Sequence, residues 1–271
     1  MKKVPIFMLG LLLALSMILA GCGGEEVKSN EAGGKKALRV VTDAAYAPFE
    51  YMDKDKIVGF DIDVLTAAAK EAGYTVEFNH VGWDPIFVEI EKKRADIAIS
   101  SITINDDRKK SYDFSIPYFL STNKILIPET SEIKGANDLK DKIVAVQNGT
   151  TGQAAMDALI GKNSSNIKKF ENNNLAIMEL IKGGADAVVA DNAVIEEYAK
   201  NNPDKKLKVI RDDTFASEFY GMMFPKGSAI KADFDKALNK IIENGTYSKI
   251  YKERFGTEPD LEKLKSQQNK K

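Results

Sequence analysis

Twice in this chain a helix carrying acids and lysines runs into a short apolar stretch that stops at a polar group. The first stretch is Ala95-Asp96-Ile97-Ala98-Ile99-Ser100. The second is Ala185-Asp186-Ala187-Val188-Val189-Ala190, which delivers Asp191. A brief apolar run after a segment of helical period reads as a buried strand of an α/β sheet. The echo predicts two α/β halves, each presenting a strand end. Open α/β sheets hold their ligands at such carboxyl ends.

The first strand end opens onto Ser100-Ser101-Ile102-Thr103-Ile104-Asn105-Asp106-Asp107-Arg108. Hydroxyls and freed backbone N–H groups suit a small anion, and an arginine adds a planar fork that fits a carboxylate. The same residues would also serve as a polar connection to a helix with a surface arginine. Asp106 and Asp107 stand where a helix would begin, at the positive end of its dipole.

Other strand ends add polar candidates. Leu38-Arg39-Val40-Val41 leads into Thr42-Asp43-Ala44-Ala45-Tyr46-Ala47-Pro48-Phe49, where Pro48 forces extended or turn backbone before it. Asp43 and Tyr46 are therefore placed on a loop, as ligand contacts or as a turn cap and a half-buried ring. A helix follows Gly59-Phe60-Asp61-Ile62-Asp63, with Asp61 as its cap and Gly73 as its stop. Thr75 to Val81 alternates as a strand. In Gly82-Trp83-Asp84-Pro85, Asp84 is expected as N-cap and Pro85 as the first helical residue, which leaves Trp83 on a loop. A loop tryptophan can stack on a ligand or close a core. His80 reads as structural.

In the second half, Asp141 to Val146 reads as a strand. It runs into Gln147-Asn148-Gly149-Thr150-Thr151-Gly152-Gln153, a strand-to-helix turn that bares N–H groups to anions. It lacks the lysine and the spacing of a nucleotide-binding P-loop. Asn172 caps a helix that ends at Gly183-Gly184. Phe219 to Phe224 reads as a strand. A helix runs from about Ser228 to Asn244-Gly245, another over Tyr247–Phe255, and the end beyond Leu264 is expected to fray.

Composition narrows the function classes. A formal charge of −1 argues against a nucleic-acid binder. One Cys and one His leave no intrachain disulfide and no basis for a Cys/His zinc site. Lys2 and Lys3 precede an apolar run from Val4 to Ala20, short for a membrane span and suited to a secretory signal. The run ends Leu19-Ala20-Gly21-Cys22, which resembles the bacterial lipoprotein signal, with Cys22 as the lipidated first residue of the mature chain. Residues 23–36 hold four glycines and little apolar matter, as a flexible tether would. Without residues 1–21 the balance is 37 basic against 40 acidic residues, or −3.

Five motifs in order carry a family resemblance: Asp43-x-x-Tyr46-x-Pro48-Phe49, Gly59-Phe60-Asp61-Ile62-Asp63, Ile102 to Arg108, Gly149-Thr150-Thr151-Gly152 and Asn244-Gly245-Thr246-Tyr247. Residues 38–256 resemble the polar amino-acid-binding proteins of bacterial ABC importers, solute-binding protein family 3, nearest to the basic amino-acid and glutamine binders. The resemblance implies an α/β, two-lobed periplasmic-binding-protein-like fold of type II with two crossover strands, near Tyr118–Thr122 and Ser217–Tyr220. Lobe 1 would be 38–119 with 221–258, lobe 2 120–220, and 259–271 a tail. Segments 1–21 and 22–37 would be the signal and the lipid-anchored linker.

Carried over residue by residue, Arg108 would clamp the ligand carboxylate, helped by N–H groups near Ser101, Thr103 and Thr151. Asp191 would take the α-ammonium with oxygens of Ser101 or Thr103. Tyr46 and Trp83 would sandwich the ligand side chain, with Asp43 at its tip. Ser100, Gln147 and Thr150 complete the expected set. Gln147 stands where some glutamine binders have a lysine, which favours arginine, lysine or histidine over glutamine. No cofactor, metal or nucleic acid is implied. The implied partners are the amino acid, the importer's permease and ATPase subunits, and the outer face of a membrane through lipid on Cys22, with a monomer as the unit. The rival class is an enzyme on the same fold, a dehydratase or cell-wall lyase. A sensor ectodomain and a partner-binding scaffold are weaker alternatives.

Overall fold

The computed structural model describes residues 37–268. The signal segment and Cys22 lie outside the described residues, as does nearly all of the linker. The chain begins with β1 (Leu38–Thr42) and a small meander of β2 (Ala45–Tyr46), β3 (Glu50–Asp53) and β4 (Lys56–Val58). It continues through α1 (Phe60–Ala72), β5 (Val76–His80), α2 (Trp83–Glu91), β6 (Ile97–Ala98), α3 (Asp106–Ser111) and β7 (Tyr112–Phe114). A long strand, β8 (Phe119–Pro128), carries it to β9 (Val144–Gln147), α4 (Thr151–Ile160), β10 (Ile167–Phe170), α5 (Asn173–Ile181), β11 (Ala187–Asp191), α6 (Asn192–Asn201) and β12 (Leu207–Ile210). Then β13 (Ser217–Tyr220) leads back to β14 (Met223–Pro225), α7 (Lys231–Glu243), α8 (Thr246–Phe255) and α9 (Leu261–Gln268).

Two sheets result. One has the order β5-β1-β6-β14-β7, and the other β10-β9-β11-β8-β12. The βαβ units run parallel in each, β1 beside β5 and β6, and β9 beside β10 and β11. The echo of Ile97–Ile99 and Ala187–Val189 is thus a pair of equivalent strands, β6 and β11. The crossovers are β13 and the first part of β8, which pair antiparallel with Ser217 opposite Thr122 and Tyr220 opposite Phe119.

An aromatic cluster anchors the crossovers. Phe119 and Tyr220 stack at 5.3 Å, and Phe49 meets Phe60, Phe119 and Tyr220 edge-on at 6.1, 4.8 and 5.5 Å. Fully burying such rings stabilises by roughly 1.5–3 kcal/mol each.

Local expectations hold where capping chemistry is explicit and shift where packing decides. Asn172 caps α5, its side chain accepting from Leu175 N–H, and Thr150 caps α4 by accepting from Gln153 N–H. Asp61 does not cap α1. Gly59 takes that place at φ +134°, where an added Cβ would lie 2.0 Å from the Phe49 carbonyl oxygen. Likewise α2 starts at Trp83 after Gly82, so Trp83 is helical rather than on a loop, and Asp84 is not the cap. α7 begins at Lys231, not near Ser228. Residues 261–268, expected to fray, form α9, with Leu264 buried against the first core.

Displaced from the cap, Asp61 has a different task. Its Oδ2 accepts the Ser101 N–H at 2.7 Å and the Tyr118 hydroxyl at 2.7 Å. Beside it, Glu50 Oε1 accepts from Ser100 Oγ at 2.8 Å, and Ser100 Oγ accepts the Asp43 N–H at 3.0 Å. Both carboxyls are fully buried, and their remaining oxygens, Glu50 Oε2 and Asp61 Oδ1, have no other donor. Two buried carboxylates side by side cannot both ionise, so the pair keeps a proton. Burial, then repulsion from Asp61, holds the Glu50 carboxyl well above the usual range, and burial pushes Asp61 up to about 6. This pair is the floor beneath Ser100 and Ser101, and it fixes Ser101 at φ +50°.

The fold therefore binds protons that the unfolded chain has already released above the usual carboxylate range, so stability falls as pH rises. Glu50→Gln supplies an amide N–H in place of the shared proton. Between pH 6 and 8 its unfolding free energy should fall less steeply than the wild type's, by about 1.4 kcal/mol per pH unit. Urea titrations at both pH values measure this, and parallel slopes would remove the shared proton.

Candidate ligand-binding site

The carboxyl ends of β1, β6, β9 and β11 converge on a cavity of about 310 Å³. Its lining is Asp43, Tyr46, Trp83, Ser100, Ser101, Thr103, Arg108, Gln147, Thr150, Thr151 and Asp191, so all eleven expected residues share one space.

Arg108 is positioned from three sides. Asn105 caps α3 by accepting the Arg108 N–H at 2.9 Å. Its guanidinium donates to the Thr103 carbonyl at 2.9 Å and the Gly149 carbonyl at 3.3 Å. The guanidinium carbon also lies 5.4 Å from the Trp83 ring centre and 5.3 Å from that of Phe87, within cation–π range of both. Trp83 is thus a platform for Arg108 as well as a wall of the cavity. Burial lowers the Arg108 pKa, with Glu218 and Asp191 opposing, but a guanidinium stays charged.

Asp191 faces Arg108 from the other sheet. Its Oδ2 accepts the Tyr46 and Tyr220 hydroxyls, each at 2.6 Å, and Tyr220 Oη also lies 2.9 Å from Ser121 Oγ. Burial raises the Asp191 pKa, while these two hydroxyls and Arg108 pull it down. Tyr46 is therefore tied to Asp191 through its hydroxyl, a role beyond the aromatic wall expected of it.

Asp43 sits in a different field. The Gln147 amide is fixed on both sides, its Oε1 accepting from Asn173 at 2.9 Å and its Nε2 donating to the Glu171 carbonyl at 3.1 Å and to Asp43 at 3.3 Å. Burial raises the Asp43 pKa; His80 and then Gln147 pull it down, and Glu171 and Asp84 push it up by less. His80 Nδ1 accepts the Ala44 N–H at 2.9 Å, so that nitrogen is a structural acceptor rather than half of an ion pair with Asp43, 4.0 Å away.

One expectation is overturned. The Ser101 N–H is taken by Asp61 and is not offered to a ligand. Ser101 presents its Oγ instead, buried with no hydrogen-bond partner, as is the Trp83 indole Nε1. Such unmet polar atoms in a cavity wall are where a ligand's polar groups are read. Tyr220, Asn173, Glu218 and Phe87 were missed. Ser217-Glu218-Phe219-Tyr220 sets an acid beside two aromatic residues in a crossover strand, the one signal that could have drawn attention to two of them.

Among the described residues, no group of His, Cys, Asp or Glu is placed to hold a metal, and no helix is long and apolar enough to cross a membrane.

The whole described body has known relatives. A Neisseria gonorrhoeae protein named a probable histidine-binding protein is 40% identical over 248 residues, covering 90% of this chain and 92% of the relative. The arginine-binding extracellular protein ArtP of Bacillus subtilis is 32% identical over 246 residues, covering 89% and 94%. Among solved structures, the arginine-, lysine-, histidine-binding protein ArtJ of Geobacillus stearothermophilus is 56% identical with a TM-score of 0.83, over 85% of this chain and 100% of that one. The model of the bacterial extracellular solute-binding proteins, family 3, matches residues 38–257, and the chain belongs to that family.

Proposed function

We propose that this chain binds an L-amino acid with a cationic side chain outside the cytoplasm and hands it to the membrane subunits of an ABC importer. The observation that carries this reading is the charge pattern of the cavity. Among the described lining residues, Arg108 is the one Lys or Arg, and Asp43 and Asp191 are the acids. A ligand with one carboxylate and two cationic groups complements that set. A neutral zwitterion would leave Asp43, buried near Asp84 and Glu171, without a ligand cation. The arginine- and histidine-binding names of the relatives support the same class.

In this reading Arg108 takes the carboxylate, Asp191 with Ser101 or Thr103 the α-ammonium, and Asp43 the side-chain cation. Ser100, Gln147, Thr150 and Thr151 shape the walls between them. Residues 38–119 with 221–258 act as one lobe and 120–220 as the other. The ligand favours the closed arrangement because its two charged ends engage residues of both. In this reading the working unit is a monomer. Cys22 carries the lipid that holds it at the membrane.

Charge-assisted hydrogen bonds are worth roughly 1.5–3 kcal/mol. Arg108→Ala should therefore weaken L-arginine binding by at least about tenfold with the melting curve still cooperative, and unchanged affinity by calorimetry would sink the carboxylate role. Asp43→Asn should cost arginine at least about tenfold more than glutamine, and equal losses would leave the cationic tip without support. A thermal-shift screen over the twenty amino acids identifies the ligand, since one that binds only the folded state raises the melting temperature. Cys22→Ala should move the chain from the membrane fraction to the medium or periplasm, and retention at the membrane would argue against lipidation.

A further inference from the structure

One half-buried acid beside the site is used by nothing so far. Glu218 lies on β13, behind the cavity wall. Its Oε2 accepts the Thr103 hydroxyl at 2.7 Å and the Thr151 hydroxyl at 2.8 Å, and its Oε1 accepts from Asn123 Nδ2 at 2.8 Å. Thr103 follows β6 in the first sheet's half, and Thr151 begins α4 in the second. A single carboxylate oxygen on a crossover strand thus ties together two cavity-lining residues from opposite sides of the site. Asn123 stands opposite Asp191 in the ladder between β8 and β11, so the same network borders Asp191.

We propose that Glu218 is the latch of the binding cleft, and that it loses a proton to solvent when a cationic ammonium enters beside Asp191. The inference rests on the amino-acid reading above and names a residue that this reading leaves out. Glu218 acts through Thr103 and Thr151 and is a positioning residue. As a carboxylate it accepts all three hydrogen bonds. Once protonated it offers a donor where hydroxyl and amide donors already point, and the bridge loosens.

The groups that face it set the direction of the linkage. Asp191 on β11 repels its charge, and Arg108 on α3 attracts it. Tyr46 lies within its field. Lys263 on α9 lines the groove behind it. On β8, Asn123 faces it as a neutral donor, and Lys124 is held by Glu196. Burial first, then Asp191, raises the Glu218 carboxyl to about 7. A ligand ammonium adds a positive charge next to Asp191 and Glu218, which lowers that value. Binding then expels a proton and strengthens as pH rises through 7.

Calorimetry with L-arginine, in phosphate and in Tris, counts the protons exchanged on binding. At pH 7 the wild type should release roughly half a proton, as a group half-protonated at that pH must when it ionises. Its Kd should tighten about fivefold from pH 6 to pH 8. E218Q keeps the size but cannot ionise, so it stands for the protonated form of Glu218 at every pH. E218Q should release several-fold fewer protons and show a nearly flat pH profile. E218A, which breaks the bridge, should release arginine about tenfold faster at pH 8. Carboxyl ¹³C NMR of the glutamate-labelled wild type tests the same point without a variant: one resonance should titrate near pH 7 and move down by about one unit with arginine.

Wild-type proton release and pH slope in E218Q, or no glutamate resonance moved by arginine, would overturn the latch while leaving amino-acid binding intact. A wild type that binds no amino acid would overturn the amino-acid reading itself, and the latch with it.

Discussion

A carboxylate taken out of water needs donors, a proton or a cation, and five acids in and around the cavity of this protein meet that requirement in different ways. Asp61 has a backbone N–H and a tyrosine hydroxyl. Glu50 keeps a proton. Asp191 has two tyrosine hydroxyls, and Glu218 has two threonines and an amide. Asp43 has a single side-chain donor, an amide at 3.3 Å, with His80 nearby pulling its pKa down and two further acids pushing it up by less. The order of satisfaction separates structural acids from those left for a ligand. The well-supplied Asp61 builds the floor, and the under-supplied Asp43 is where an incoming cation gains most.

That division explains why the Ser100-to-Arg108 stretch functions as more than a polar connection. Ser101 sits in left-handed backbone, costly for a non-glycine residue, and the Asp61 carboxylate holds it there. Two residues on, the Thr103 hydroxyl reaches Glu218. Arg108 depends equally on its surroundings, since two ring faces and two carbonyls fix its fork. A rigid fork binds a carboxylate with less ordering to do on arrival.

The two sheets meet this network through the crossovers. Because β8 and β13 pair with each other and are stapled by Phe119 and Tyr220 into the aromatic cluster, Ser121, Glu218 and Tyr220 stand between the residues that approach the cavity from either side. These crossover strands carry a carboxylate and a hydroxyl that touch residues of the site, so crossover geometry and site chemistry are coupled in the same few side chains.

The sequence by itself determined the α/β class, the two equivalent strand ends and the cap at Asn172, and the family resemblance named the eleven residues that line the cavity. Each of these is written in local signals: apolar period, capping side chains, and polar residues placed at the ends of strands, with a family pattern over them. Only the tertiary structure decided that Asp61 leaves the cap for the loop beneath the site, that Trp83 supports Arg108, and that Glu218, Tyr220 and Asn173 complete the site from a distance. Their roles rest on contacts between segments far apart in the chain. A buried carboxylate takes its function from whichever donors the fold brings within about 3 Å, and nothing in its own neighbourhood of sequence says which those are.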